Sequence, residues 1–182
     1  CCPATRNLRL AAIRSLFTLI ARREPVLIAQ CQQIHAIPQK RSQHKVIHYL
    51  EENEMQAVLA AIDVNTRTGI RDKALMLVLY NTGARVSEMV HLKIDDMQLG
   101  DNPQVKLLGK GKKERVSPLW PETAQALKQY LQIRKPISNN SKEVFLNANG
   151  LPITRFGIRY ITQKLGRQGL DSTVENLNPH VI

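Results

Sequence analysis

The spacing of apolar residues predicts that the chain begins with two helices. Residues 6–22 place apolar side chains three to four positions apart, and Thr5 precedes them as an N-cap whose side chain can accept a hydrogen bond. Pro25 suits the first turn of a second, short helix that ends before Pro38. The predicted apolar stripe of the first helix consists of Leu10, Ile13, Phe17 and Ile20.

The central part of the chain predicts three further helices. Residues 70–80 are apolar on nearly every side, which is typical of a helix enclosed by its neighbours. Gly83 follows this helix as a residue that can end it in a left-handed conformation, and Thr82 can cap the next helix, over 84–91. Ahead of the enclosed helix, an amphipathic helix is predicted from Met55, Val58, Leu59 and Ile62.

The remaining residues predict a small antiparallel sheet among helices. Two short strands, 104–108 and 115–119, are joined by the basic stretch GKGKKE, and residues 143–153 predict a hairpin that turns at Asn149-Gly150. One helix begins at Pro121 and another at Thr154. The predicted buried residues of these two helices are Ala124, Leu127, Tyr130 and Leu131, then Phe156, Ile161 and Leu165. The predicted fold class is α+β, mainly α.

The net charge of the chain indicates what class of partner it binds. The 182 residues carry a net charge of +11, which favours a polyanion, with nucleic acid first and an anionic membrane surface second. No apolar run reaches the roughly 18 residues that a membrane span requires. The three cysteines form no Cys-x-x-Cys pair, so we expect a reduced, cytoplasmic setting with neither a disulfide framework nor a zinc site.

The charge is unevenly distributed along the chain. Residues 1–45 contain eight basic residues and one acid, so this quarter of the chain carries +7 of the total. The asymmetry predicts two modules with a boundary in the basic, proline-containing stretch 37–45. The chain has no initiator methionine and stops at NPHVI, and we therefore expect it to be part of a longer protein.

An arginine at a helix start is the first candidate for chemistry. The segment NTGARVSE places Arg85 in the predicted first turn of a helix, where the macrodipole disfavours a cation unless an anion binds beside it. A guanidinium and free helix N–H groups both bind phosphate oxygens, and Glu88 can hold the arginine from the same helix face. The alternative is a surface ion pair that contributes a few tenths of a kcal/mol.

Two further segments carry candidate side chains. The stretch GKGKKER crowds four basic residues into seven positions, and its glycines would present Lys110 on a mobile loop. The alternative is a charged hairpin tip that discourages strand pairing. In the final segment NPHVI, Pro179 could start a helix with His180 in its first turn, although a lone histidine is more often structural than catalytic.

Taken together, these motifs resemble one known family. TGARVSE, GKGKKERVSPL and LNPHVI occur in the order seen in the phage-integrase or tyrosine recombinase family, particularly its Xer-like and mobile-element members. By this resemblance, Arg85 matches the first active-site arginine and Glu88 its acidic supporter. Lys110 matches the β-hairpin lysine, and His180 opens the His-x-x-Arg motif.

The resemblance also implies an architecture. Residues 41–182 would form most of a helical catalytic domain with a small inserted sheet, and residues 1–40 the last helices of a DNA-clamping, core-binding domain. In the family, a second arginine and then the nucleophilic tyrosine follow the histidine. None of the chain's four tyrosines matches that nucleophile, since all precede His180: Tyr49, Tyr80, Tyr130 and Tyr160. We therefore expect the chain to bind DNA without cleaving it.

The implied activity is site-specific DNA recombination through a phosphotyrosine intermediate, without metal or cofactor. Arg85 would stabilise the charge that develops on the phosphate, Lys110 would protonate the leaving oxygen, and His180 would contact the phosphate or take the tyrosine's proton. Double-stranded DNA is the implied partner, with self-association on DNA and no membrane. The DNA-binding residues we expect are Arg6, Arg9, Arg14, Lys40, Arg41, Lys112, Lys113 and Arg115.

Three alternatives remain at this level. The chain could be a non-catalytic DNA-binding protein that occupies recombination sites. Type IB topoisomerases share the chemistry, although their motif spacings resemble this chain less. The charge alone would also allow an unrelated basic, helical RNA-binding domain, in which Arg85 and Lys110 would matter only for their charge.

Overall fold

The fold is a set of α-helices with one small antiparallel sheet, which confirms the predicted class. The computed structural model describes residues 2–41, 49–109, 111, 113–138 and 141–170. The chain divides after residue 46 into two compact units. The domain identities expected for residues 1–40 and 41–182 stay predictions.

The first unit consists of two helices joined by a tight turn. Helix α1 (Pro3–Arg23) is followed by a 3₁₀ turn (Pro25–Leu27) that leads into α2 (Ile28–Ala36), as Pro25 predicts. The predicted cap at Thr5 is wrong, because Pro3 occupies the first helical position and Cys2 is the N-cap. Leu10 and Cys31 are buried between the two helices, whereas Ile13 of the predicted stripe is 46% exposed.

The helices of the second unit enclose its core. Helix α4 (Arg67–Thr82) packs against α6 (Pro121–Ile133), and α3 (Glu52–Ala60) packs against α7 (Arg155–Gly169). The predictions for α3 and α4 are confirmed, since Met55 and Val58 are fully buried and residues 74–79 are at most 2% exposed. Helix α5 spans Val86–Val90.

The sheet has the strand order β1-β2-β3 in the part of the chain that is described. Strands β2 (Gln104–Leu108) and β3 (Glu114–Pro118) pair antiparallel, with Leu107 opposite Arg115. The alternate side chains of β2, Val105 and Leu107, enter the core. The pattern did not predict β1 (Met97–Gln98), because two residues are too few to show an alternation.

The segment 143–153 differs from its prediction. Its two arms run antiparallel and reverse near Asn149-Gly150 as predicted, but one isolated bridge, between Leu146 and Pro152, joins them in place of paired strands, and the turn is wider than two residues. The side-chain oxygen of Asn147 accepts hydrogen bonds from the backbone N–H groups of Asn149 and Leu151, which closes a wider turn. Gly150 adopts φ +77°, and a Cβ there would lie 2.7 Å from the carbonyl oxygen of Lys135.

Helix α7 begins as predicted and buries Ile161 and Leu165 as predicted, but not Phe156. Thr154 caps it by accepting a hydrogen bond of 3.1 Å from the backbone N–H of Gly157. Phe156, which we expected to be buried, is 83% exposed. The buried stripe runs through Ile158, Ile161 and Leu165, and position 156 lies about 200° around the helix from position 158.

Candidate functional site

The turn between α4 and α5 carries Arg85. Gly83 ends α4 with φ +57°, as predicted, and Arg85 is the N-cap of α5 rather than a residue of its first turn. The predicted capping role of Thr82 is wrong, because Thr82 is the last residue of α4 and its buried hydroxyl donates to the carbonyl of Val78. Since α5 has only five residues, the charges of side chains, and not a helix dipole, dominate this site.

A buried carboxylate holds Arg85 in place. The side chain of Glu88 is 1% exposed, and its Oε1 accepts a hydrogen bond of 3.2 Å from Nη1 of Arg85. Its Oε2 accepts another, of 3.0 Å, from the backbone N–H of Arg85. The side chain of Arg85 is nevertheless 65% exposed. Glu88 therefore fixes the guanidinium at the surface, and Nε and Nη2 of Arg85, which donate to no described residue, could bind an anion.

Arg115 of β3 supplies a second guanidinium to the same carboxylate. Its Nη2 donates to Oε2 of Glu88 at 2.9 Å, and its Nη1 donates to the backbone carbonyl of Thr82 at 3.1 Å. Arg115 thus ties the second strand of the hairpin to the turn that carries Arg85. Sequence reasoning assigned Arg115 only to DNA, because the pairing with Glu88 joins residues 27 positions apart.

The base of the β2–β3 hairpin lies against this pair. The backbone N–H of Gly109 donates to the carbonyl of Lys113 at 2.8 Å, which closes the hairpin loop. A Cβ on Gly109 would lie 3.3 Å from Oε1 of Glu88 and 4.0 Å from Nη1 of Arg85. A glycine at this position therefore allows close approach of the hairpin to the Arg85–Glu88 pair. The predicted site residues Lys110, Lys112 and His180 lie outside the described residues.

The Glu88 interactions predict a response to acid. Burial raises the pKa of Glu88, but the backbone N–H of Arg85 and the guanidinium of Arg115 lower it by more, so the pKa lies below its ordinary value of 4.5. Such a group contributes stability above its unfolded-state pKa, and that stability is lost as the pH falls through the folded-state pKa. We expect the free energy of unfolding to fall as the pH drops below about 4.5, and to fall less steeply in Glu88→Gln. Urea denaturation between about pH 3 and pH 6 measures both slopes; parallel curves for the two proteins would contradict the prediction.

Helix α7 has a basic outer face that sequence reasoning missed. The helix contains no acidic residue, and α5 packs against it. Two exposed aromatic side chains, Phe156 and Tyr160, lie between the cations. The signal is present in the sequence as basic residues at helical spacing without acids, whereas the prediction of this helix rested on its apolar positions alone. The exposed basic residues of this face are Arg155, Arg159, Lys164 and Arg167.

The predicted DNA-binding residues of the first unit fall into two groups. Arg6 and Arg14 hold the end of α2, because Arg6 donates to the carbonyl of Pro38 and Arg14 to those of His35 and Ile37. The other predicted residues of this unit have exposed side chains, as does Lys113 in the second unit: Arg9, Lys40 and Arg41. DNA binding by either group stays a prediction.

The described residues also exclude two other kinds of site within their ranges. They contain no group of three or more histidine, cysteine or carboxylate side chains arranged to hold a metal ion. Among the same residues, no helix combines the length and the apolar character needed to cross a bilayer.

Comparisons with known proteins identify the family of the chain. The chain is 31% identical over 177 residues to tyrosine recombinase XerC of Staphylococcus carnosus (strain TM300), covering 97% of the chain and 58% of XerC. It is 38% identical over 168 residues to a protein of Sinorhizobium fredii (strain NBRC 101917 / NGR234) assigned as an integrase/recombinase, covering 92% of the chain and 60% of that protein. The chain thus spans somewhat over half the length of these relatives.

A solved structure agrees at the level of the fold. The integrase of transposon Tn1549, solved in complex with a circular intermediate DNA, superposes with a TM-score of 0.73 at 17% identity, covering all of this chain and 64% of the integrase. At that identity, the likeness concerns the fold alone. The family model described as "Phage integrase family" matches residues 48–182, nearly three quarters of the chain. The chain therefore belongs to the phage integrase family.

Proposed function

We propose that this chain binds double-stranded DNA and supplies the phosphate-binding part of a site-specific recombinase. One observation carries the proposal: Arg85 is exposed at 65% yet held by the buried carboxylate of Glu88, beside the base of the hairpin. An ordinary surface arginine has a mobile side chain, whereas this guanidinium is exposed and also held in one position by a buried carboxylate. A preorganised surface guanidinium suits a phosphodiester, on whose oxygens charge develops during cleavage.

Each side chain of the site has a proposed role. Arg85 binds a non-bridging oxygen of the DNA phosphate, and Glu88 keeps the guanidinium in that position. Arg115 retains a countercharge on Glu88 when Arg85 shares its donors with the phosphate. Lys110 donates a proton to the leaving oxygen and His180 contacts the phosphate; these two roles rest on the motif resemblance and on the position of Gly109, the neighbour of Lys110, beside the Arg85–Glu88 pair.

Basic surfaces would guide the duplex to this site. The outer face of α7 carries four cations and no acid, and α5, which Arg85 caps, packs against this helix. The proposal includes self-association on DNA and a cytoplasmic location, as the family resemblance and the cysteine pattern predict. The names of XerC and of the Tn1549 integrase, as a recombinase and as a DNA-bound integrase, agree with it.

A salt titration tests the proposal. We expect the chain to bind duplex DNA with an affinity that falls linearly on a log–log plot against salt, by about 10³ between 50 and 200 mM for six phosphate contacts. Duplex DNA should displace a labelled duplex better than duplex RNA of the same sequence, because the two differ in helical form. Equal competition by RNA would favour the RNA-binding alternative and contradict the proposal.

A suicide DNA substrate separates recombinase chemistry from occupation of the site. A nick near the cleavage position lets the short fragment with the 5′-hydroxyl diffuse away, so the strand cannot be rejoined and a protein with a nucleophile accumulates as a covalent adduct. Adduct formation by the 182-residue chain would overturn our expectation that it binds without cleaving. It would also eliminate the alternative of a purely non-catalytic DNA-binding protein.

A further inference from the structure

A second cationic site lies at the other end of α4. Arg67 is the first residue of this 16-residue helix, so it lies roughly 24 Å along the axis from the turn that carries Arg85. Here α4, the end of α6 and the 146–148 segment border an open cleft. Four cationic side chains and no acidic side chain line it in the described part of the chain: Arg67, Arg71, Arg134 and Lys135.

Backbone carbonyls fix three of these side chains. Nη1 of Arg71 donates to the carbonyl of Leu146 at 3.0 Å, and Nη2 of Arg67 donates to that of Ala148 at 3.3 Å. Nη2 of Arg134 donates to the carbonyl of Ser141 at 2.8 Å. The guanidiniums are thus held in position, which lowers the conformational cost of binding a ligand.

Hydrogen bonds to backbone carbonyls account for only some of the donors of these cationic side chains. Arg71 has Asp72 as a countercharge, with its Nε at 2.8 Å from the carboxylate. Nη1 of Arg134, Nε of Arg67 and the ammonium of Lys135 have no hydrogen-bond partner among the described residues. These unused donors border one cleft, where like charges repel one another unless an anion joins them.

The hydroxyl of Tyr130 reports the same positive potential. It accepts a hydrogen bond from the backbone N–H of Leu146 on the wall of the cleft. Burial raises the pKa of Tyr130 above its ordinary value, and the charges of Arg71, Arg134 and Arg67 offset only part of that rise. All three guanidiniums therefore act on one buried oxygen, two of them from α4 and one from the end of α6.

We propose that this cleft binds a phosphate group. Three guanidiniums and an ammonium around a concave surface match a tetrahedral oxyanion better than a single planar carboxylate. The hydroxyl of Thr68 and the amide of Asn147 line the same cleft and add neutral donors. The phosphate belongs either to a nucleic-acid backbone or to a small phosphorylated molecule.

Inorganic phosphate is the first probe. With the isotope-labelled 182-residue chain at constant ionic strength, we expect the NMR signals of Thr68, Asn147 and Ala148 to shift saturably with phosphate and not with chloride. Arg67→Gln and Lys135→Gln should each weaken this binding about tenfold. Lys128→Gln, an exposed lysine of α6 that does not line the cleft, should leave it unchanged. Signals near Arg85 report that site separately, so the proposed function can fail while this inference stands.

Duplex DNA distinguishes the two sources of the phosphate. If the site holds a DNA phosphate, Lys135→Gln should reduce the slope of log affinity against log salt by about 1, and Lys128→Gln should not. An unchanged slope together with loss of phosphate binding supports a small phosphorylated ligand instead. No saturable shift at these residues, or equal weakening by Lys128→Gln, would overturn the proposal. The melting temperatures of the variants without phosphate confirm that each is folded.

Discussion

Replacement of Glu88 with alanine should lower the free energy of unfolding by about 3 kcal/mol. The carboxylate is 1% exposed and accepts hydrogen bonds from the backbone of Arg85 and from the side chains of Arg85 and Arg115. Removal leaves a cavity and deprives three donors of their partner. The two guanidiniums are 65% and 42% exposed, so water solvates them in part, and we place the cost at the lower end for a broken buried pair.

Urea denaturation followed by circular dichroism measures this loss. Glu122→Ala is a matched control, because the side chain of Glu122 is 65% exposed and its Oε1 lies 3.9 Å from Nζ of Lys73. Such an exposed ion pair contributes at most about 1 kcal/mol to the free energy of unfolding. The stability of Glu88→Gln should lie between those of the two alanine variants, because the glutamine side chain keeps the shape of Glu88 but turns an amide N–H₂ toward the donors of Arg85 and Arg115. Equal stabilities of Glu88→Ala and Glu122→Ala would refute the central place of Glu88.

Replacement of Arg85 with glutamine should weaken the affinity for duplex DNA about tenfold or more, while the fold remains intact. A charge-assisted hydrogen bond to phosphate contributes about 1.5–3 kcal/mol, and 1.4 kcal/mol is tenfold. The fold should tolerate the change, because the Arg85 side chain is mostly exposed and Arg115 continues to neutralise Glu88. Arg85→Lys keeps the charge but loses the planar fork, so an intermediate affinity is expected.

Fluorescence anisotropy with a labelled duplex, at fixed salt, provides the affinities for this series. Lys128→Gln removes the same charge from the exposed face of α6, where the proposal places no DNA. Arg85→Gln should also reduce the salt slope by about 1. If Arg85→Gln and Lys128→Gln behave alike, the affinity reports net charge alone and the assignment of Arg85 to the phosphate is wrong.

The α4–α5 turn illustrates how far local rules reach. The sequence predicted Gly83 correctly, because only a residue that tolerates positive φ ends a helix in this way without strain. It erred at Thr82, because a capping residue and the last residue of a buried helix look alike in a sequence. The hydroxyl of Thr82 donates to the backbone carbonyl of Val78, one helical turn earlier in α4.

Arg115 and Phe156 illustrate features that the sequence did not reveal, for a different reason. Both lie in segments whose secondary structure was predicted correctly, β3 and α7. The pairing of Arg115 with Glu88 depends on how the hairpin packs beside α5. The exposure of Phe156 depends on which face of α7 meets the helices of the core. Neither fact follows from spacing within one element.

The sequence by itself determined the positions of the main helices and the two longer strands, the excess of positive charge, and the pair Arg85 and Glu88. These features depend on neighbours within about four residues or on composition, and local sterics and periodicity dictate them. The tertiary structure decided that Glu88 is buried, that Arg115 shares its carboxylate, and that four cations meet at the far end of α4. Such contacts join residues that are distant in the chain, and only the packing of whole elements brings them together.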